Sequence, residues 1–229
     1  MIYVMSDIHG KRKEFDSILE KIKLKQQDKL YVLGDVIDRG EDGIGIMLDL
    51  MKMDNATVLL GNHEWMFLKA IKPAANMNDI KLWYRNYGNV THDAYLELPI
   101  ETQNKLQEFI LHMPITAEVT INGKNYLLVH GAPPELQYKL YSTFIPEREF
   151  ATWERIKPND IMPKGKTVIF GHTPTDDYQS DRPLRIWHGA DKIGIDCGCG
   201  HSHPACRLAC LRLDDMKEYY SDKSNQEIV

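Results

Sequence analysis

Leu30-Tyr31-Val32-Leu33-Gly34-Asp35-Val36-Ile37-Asp38-Arg39-Gly40 joins a short apolar run to a glycine-bounded turn that carries two carboxylates and a guanidinium. The run Leu30 to Leu33 reads as a buried strand. A strand that ends in such a loop is a rigid platform with a chemically loaded edge. The plan recurs on both sides. Ile2 to Met5 is an apolar strand ending in Ser6-Asp7-Ile8-His9-Gly10, followed by Phe15, Ile18, Leu19 and Ile22 at helical spacing. Ile44, Met47, Leu48 and Met51 then mark a second amphipathic helix, and Thr57 to Leu60 a third strand ending in Gly61-Asn62-His63-Glu64. This βαβαβ pattern predicts a largely parallel sheet whose carboxyl-end loops converge on one edge.

Farther along, Trp65 to about Pro114 reads as mainly helical, a cap or side subdomain. Ala117 to Ile121 and Asn125 to Val129 flank Asn122-Gly123-Lys124, in which Asn-Gly is a strong hairpin signal. The second arm ends in His130-Gly131. Thr167 to Phe170 is another buried-type strand, ending in Gly171-His172, and short strands are expected at Ile186 to Asp191, Ile193 to Asp196 and Arg207 to Leu213. The polar tail after Tyr220 is expected to fray.

The 229 residues, 43% of them hydrophobic and 27% charged, suit one soluble domain with a sizeable core. A net charge of −5 argues against a nucleic-acid partner. No apolar run approaches the ~20 residues of a membrane helix. The start of the chain has no basic region or long apolar core of a signal peptide, so a cytoplasmic location is expected. All four cysteines lie between Cys197 and Cys210, unlike the spread-out framework of a small secreted scaffold.

Five apolar strands thus end in loops carrying Asp7 and His9; Asp35, Asp38 and Arg39; Asn62, His63 and Glu64; His130; and His172. Stability alone does not explain the set, because buried charges and imidazoles cost energy unless they are paired or bind metal. Carboxylate, amide and imidazole donors without thiolate suit manganese, iron or zinc, and their number suggests two ions.

Asp7-Ile8-His9-Gly10, Gly34 to Gly40 and Gly61-Asn62-His63-Glu64 resemble the signature of the phosphoprotein phosphatase branch of the calcineurin-like metallophosphoesterases. His130-Gly131 and Gly171-His172 are similar to that family's later histidines, and Trp153-Glu154-Arg155 to its second arginine motif. The stretch Trp83 to Tyr95, with Asn86, Gly88 and Thr91, is similar to compact bacterial and phage members. The resemblance implies a four-layer α/β/β/α sandwich, two mixed sheets flanked by helices, in one domain over 1–229 with the helical part at 65–114. It implies a serine/threonine protein phosphatase acting on a phosphorylated protein or a small phosphoester.

Two divalent ions, manganese by preference, would sit on Asp7, His9 and Asp35 and on Asp35, Asn62, His130 and His172. Asp35 would bridge them, and a hydroxide shared by the ions would attack phosphorus in line. His63 would be the general acid, Asp38 its partner, and Arg39 and Arg155 the phosphate clamps. The symmetrical diadenosine tetraphosphate hydrolases share this signature but resemble a glutamine version of the first block, where this chain has His9. A non-catalytic module would be expected to have lost some of the six ligands, and all six are present.

Glu64 is expected to support its loop by hydrogen bonding, and His92, His112 and His188 to be structural or surface residues. The Cys197-Gly198-Cys199-Gly200-His201-Ser202-His203 stretch with Cys206 and Cys210 fits no standard zinc spacing. A glycine-rich loop with one or two buried thiols is expected there instead.

Overall fold

Successive side chains of the central strands face two different apolar layers, and this alternation sets the architecture. The computed structural model describes residues 1–137 and 145–222. On strand β1 (Ile2–Met5), Tyr3 and Met5 point into one buried cluster while Val4 points into another. On β5 (Lys124–Val129), Tyr126 and Leu128 share the cluster of Val4, while Leu127 and Val129 face a third. Strand side chains alternate with a period of two, so each such strand is covered on both faces. The shared cluster is the middle of a sandwich between two sheets.

The first sheet runs β10-β9-β1-β2-β3, with β2 at Lys29–Val32, β3 at Ala56–Val58, β9 at Ala209–Arg212 and β10 at Lys217–Tyr220. The second runs β4-β5-β6-β8-β7, with β4 at Thr116–Ile121, β6 at Thr167–Phe170, β7 at Trp187–His188 and β8 at Lys192–Gly194. Helices α1 (Arg12–Ile22) and α2 (Gly43–Leu50) cover the outer face of the first sheet through Phe15, Ile18, Ile44 and Met47. So do α3 (Asn62–Ile71), α4 (Met77–Arg85), α5 (Asn89–Leu96) and α6 (Ile100–Leu111), which contribute Phe67, Trp83, Tyr95 and Ile110. Phe150 and Ala151 of α7 (Glu147–Trp153) pack on the outer face of the second sheet. The result is the expected four-layer arrangement.

The βαβαβ reading holds for β1, β2 and β3, which pair in parallel. The sheet as a whole is mixed, since β9 lies antiparallel to β1 and β10 antiparallel to β9. The Asn122-Gly123 hairpin is present: Ile121 pairs with Lys124, and the two turn residues have φ of 51° and 74°, the left-handed pair of a type I′ turn.

Strand β10 was not foreseen, because Lys217-Glu218-Tyr219-Tyr220 carries no apolar alternation. The tail is also better anchored than expected. Ser221 is buried and exchanges hydrogen bonds with Leu208 at 2.9 and 3.0 Å, and Asp222 pairs with Lys21 at 2.6 Å. Residues 223–229 lie outside the described residues. Among the described residues, no helix is long and apolar enough to cross a membrane.

Candidate metal centre

Because β1, β2 and β3 are parallel neighbours, the loops that leave them lie side by side and are stitched together. Asp7 N–H donates to Gly34 O at 3.2 Å, His9 N–H to Asp35 O at 2.9 Å and Gly10 N–H to Val36 O at 2.8 Å. Gly34, at φ +84°, admits the third loop: a Cβ there would lie 2.5 Å from Gly61 Cα. The second sheet adds its own parallel pair, with Gly171 N–H donating to His130 O at 2.9 Å.

Asn62, His63 and Glu64 are the first residues of α3, not of a loop. Glu64 there spans two loops. Its Oε2 accepts from Asp35 and Gly61 N–H at 2.8 and 3.1 Å, and its Oε1 from Val36 and Ile37 N–H at 2.8 and 3.3 Å. The expected supporting role is thus a clamp on the Asp35 turn. Burial and the charge of Asp35 push its carboxyl up to about 7, against the pull of the backbone donors.

Asp7, His9, Asp35, Asn62 and His130 are buried and His172 nearly so, all around one space. Asp35 is central. Its Oδ1 is 3.4 Å from His130 Nε2, and its Oδ2 is 3.7 Å from His9 Nε2. Asn62 Oδ1 is 3.0 Å from His130 Nε2 and 2.9 Å from His172 Nδ1, and Asp7 Oδ1 is 4.0 Å from His9 Nε2.

The second nitrogen of each imidazole has its own partner. His9 Nδ1 meets Ile37 O at 3.1 Å, His130 Nδ1 meets Leu33 O at 2.6 Å and His172 Nε2 meets Trp153 O at 3.1 Å. A carbonyl accepts only, so those nitrogens carry protons, and in a neutral ring the inward one presents a lone pair. With His130 neutral, lone pairs of three imidazoles, two carboxylates and an amide oxygen face one another, an arrangement that calls for cations. Outer hydrogen bonds of this kind are what hold histidine ligands in place around metals. The residues fit divalent ions.

Two donor groups meet within 4.8 Å, His9 with Asp35 and His63, and Asp35 with His130 and His172. The second brings together three of the four residues expected on one ion, without Asn62; the first has His63 where Asp7 was expected. His63 Nε2 lies 3.9 Å from Asp35 Oδ2 but also receives Arg39 Nη2–H at 3.3 Å, and a cation placed on it would face the guanidinium.

The charges are strongly coupled. Burial opposes ionisation of Asp35, yet His130 and His63 hold it well below the usual carboxylate range. Burial likewise lowers His130, but Asp35 and Asp7 outweigh it and push the imidazole up to about 10. Burial and His130 take His172 down to about 3. In effect His130 supplies the positive charge the carboxylates require, and metal binding would displace that proton.

His63 Nδ1–H donates to Asp38 Oδ2 at 2.6 Å, and Trp83 Nε1–H donates to the same oxygen at 2.8 Å. Asp38 N–H donates to Thr91 Oγ1 at 2.9 Å. Trp83 on α4 and Thr91 on α5 thus hold the partner of His63, a role that sequence reasoning did not give them. The helical segment reaches the centre through those two side chains and through Asn86, which lines the cavity. A tryptophan at helical spacing reads as core, and only its contact with Asp38 shows more. Asp196, buried in the cavity wall, was also passed over as a site residue; burial and Asp7 raise its carboxyl well above the usual range.

Arg39 and Arg155 both line the cavity of about 460 Å³ over the centre. Arg155 is half exposed and pairs with Asp177 at 3.3 Å. Three of the four cysteines, Cys197, Cys199 and Cys210, are buried free thiols in the apolar clusters, one more than foreseen. Among the described residues they join no metal-capable group.

The sequence profile of the calcineurin-like phosphoesterases matches residues 1–205. A symmetrical bis(5'-nucleosyl)-tetraphosphatase of Glaesserella parasuis is 28% identical over 188 residues, which are 78% of this chain and 60% of that protein. Serine/threonine-protein phosphatase 1 of Salmonella typhimurium is 29% identical over 181 residues, 76% of this chain and 78% of that one. The chain therefore spans about 60% of the length of the first relative and more of the second. A structure solved as a candidate diadenosine tetraphosphatase aligns over 98% of this chain and 94% of its own, with a TM-score of 0.66 at 19% identity. A Saccharomyces cerevisiae serine/threonine phosphatase aligns over 100% of this chain and 81% of its own, with a TM-score of 0.56 at 12% identity. The profile match runs through every metal-capable strand end from Asp7 to His172, and the chain belongs to the calcineurin-like phosphoesterases.

Proposed function

We propose that the chain is a two-metal phosphomonoester hydrolase of the serine/threonine protein phosphatase type. The observation that carries this reading is the buried His63–Asp38 pair beside Asp35, with Nε2 of His63 turned to the cavity side where Arg39 lies. A serine alkoxide is a poor leaving group, so its ester gains most from a positioned proton donor, typically ~10²–10⁴-fold. His63 gives that proton from Nε2 once the ring is protonated and Arg39 has turned its Nη2–H from Nε2 to the phosphoryl group, and Asp38 orients the ring and supports its charge. Arg39 and Arg155 grip the phosphoryl oxygens. Asp7, His9 and Asp35 would hold one divalent ion and Asp35, Asn62, His130 and His172 the other. Manganese is our preferred ion, and the pair when bound acidifies water and polarises the phosphoryl group. Unpaired cysteines suit a reducing compartment, and we place the activity in the cytoplasm.

A second reading, symmetrical cleavage of a dinucleoside tetraphosphate, is favoured by the activity for which the Glaesserella relative is named. The cavity lining supports it less. Beyond the residues that would hold the ions, two arginines stand there with Asp176 and Asp177, few cations for a chain of four phosphates. Assays with manganese on a phosphoserine peptide, p-nitrophenyl phosphate and the dinucleotide test the choice. The peptide should turn over faster; quicker release of two nucleoside diphosphates would reverse the ranking.

A further inference from the structure

The glycine-rich loop of cysteines and histidines lies directly on the metal centre. A Cβ on Gly200 would come 2.3 Å from His9 Cδ2 and 3.0 Å from Arg39 Cδ, so only glycine lets the backbone approach so closely. The loop is fixed from below. Cys197 and Cys199 are buried, Cys199 Sγ lies 3.6 Å from Ile8 O, and Gly198 N–H donates to Asp196 Oδ1 at 2.9 Å. His201 N–H closes the turn on Gly198 O at 2.9 Å.

The His201 ring is thereby carried to the cavity mouth, where Arg39 Nη1 donates to its Nε2 at 3.2 Å while Arg39 Nη2 donates to His63 Nε2 at 3.3 Å. One guanidinium bridges two imidazoles. Arginine has only donors, so His201 must offer a lone pair at Nε2 and carry its proton on Nδ1. Burial and the charge of Arg39 lower its pKa, which keeps the ring neutral and accepting.

We propose that His201 is a positioning residue for Arg39, fixing the guanidinium across the cavity for a phosphoryl group. Arginine is a long side chain with much rotamer freedom to lose. Held at Nη1 by His201, it spends one of its five N–H donors there and, when His63 is protonated, leaves four for phosphoryl oxygens. The inference rests on the phosphoester reading, in which Arg39 meets phosphate.

The test compares wild type, His201→Ala, His201→Gln, Arg39→Ala and the Arg39→Ala/His201→Ala double variant, all loaded with manganese. Two quantities are read: affinity for inorganic phosphate by calorimetry, and kcat/KM on p-nitrophenyl phosphate. His201→Ala should weaken phosphate binding and lower kcat/KM about tenfold, the loss expected for one charged hydrogen bond, mainly through KM and with manganese content unchanged. His201→Gln keeps an acceptor and should stay within about threefold of wild type. In the Arg39→Ala background, removing His201 should change neither quantity. Additive losses, or no rescue by glutamine, would overturn the proposal while leaving the enzyme reading intact. The expected pattern in phosphate binding without turnover would sink the phosphatase reading and leave the positioning role standing.

Discussion

Replacing Asp38 by asparagine separates proton delivery from metal binding. Asp38 is fully buried, its Oδ2 accepts from both His63 and Trp83, and its Oδ1 has no partner among the described residues. In Asp38→Asn the amide oxygen takes the place of Oδ2 and keeps both hydrogen bonds, with the amide nitrogen where Oδ1 was. What is lost is the charge. A charge-assisted bond becomes a neutral one, which removes ~1–2 kcal/mol of support for protonated His63. At ~1.4 kcal/mol per decade this is a ~5–30-fold loss.

The loss falls only where the leaving group needs the proton. On a phosphoserine peptide kcat should drop ~5–30-fold, whereas p-nitrophenolate departs readily without a proton and its ester should lose no more than ~3-fold. Manganese content, measured by elemental analysis of the dialysed protein, should equal wild type. Asp35→Asn should instead lose metal and turnover on both esters, because Asp35 faces His9 and His130 at 3.7 and 3.4 Å. Equal losses on the two esters in Asp38→Asn would refute the general-acid assignment, and loss of metal in that variant would refute the separation of the two aspartates.

Trp83→Phe removes only the second donor to Asp38 and should show the same leaving-group pattern in milder form, ~2–5-fold on the peptide, read by the same assays. Glu64→Ala leaves four buried backbone N–H groups without their acceptor, and urea denaturation should show a loss of at least ~3 kcal/mol. Glu218 accepts from His188 and Tyr220 at 2.8 and 2.5 Å, and His188 first holds its carboxyl below the usual value. A lowered folded pKa stabilises above the unfolded value of ~4.3 and is lost as pH falls through the folded one. Glu218→Gln should therefore cost ~1 kcal/mol at pH 7, with the deficit closing below about pH 4 as wild-type Glu218 protonates.

The five strand ends that build the centre were legible because each strand is covered on both faces and so reads as an unbroken apolar run: Ile2 to Met5, Leu30 to Leu33, Tyr126 to Val129. The antiparallel edge strand β10 was not legible. Its Lys217 and Glu218 face solvent or polar partners, and its tyrosines, only partly buried against the apolar clusters, also stack against arginine. In the site, the ligand-type residues announce themselves by chemistry at strand ends. Trp83, Thr91 and His201 act through residues 45, 53 and 162 positions away, a distance at which no local pattern signals contact.

Backbone conformation at the site is a further feature no residue pattern displays. Among the described residues eleven non-glycine residues have positive φ, and Asp7, His9, Asp35, Asp38, Arg39 and His172 are six of them. Each such residue costs ~1–2 kcal/mol and persists only where its surroundings over-determine it. Here the Glu64 carboxylate and the stitched loops do so. The turn needs left-handed residues at both 35 and 38 because it must send Asp35 towards His9 and His130 and then reverse to send Asp38 towards His63 and Trp83. Asparagine shares with aspartate a tolerance of that conformation. Asp38→Asn therefore changes the charge without adding to the backbone demand, whereas Asp38→Ala would add strain to the loss of the side chain. A fall in rate with asparagine is then a property of the carboxylate and not of a disturbed loop.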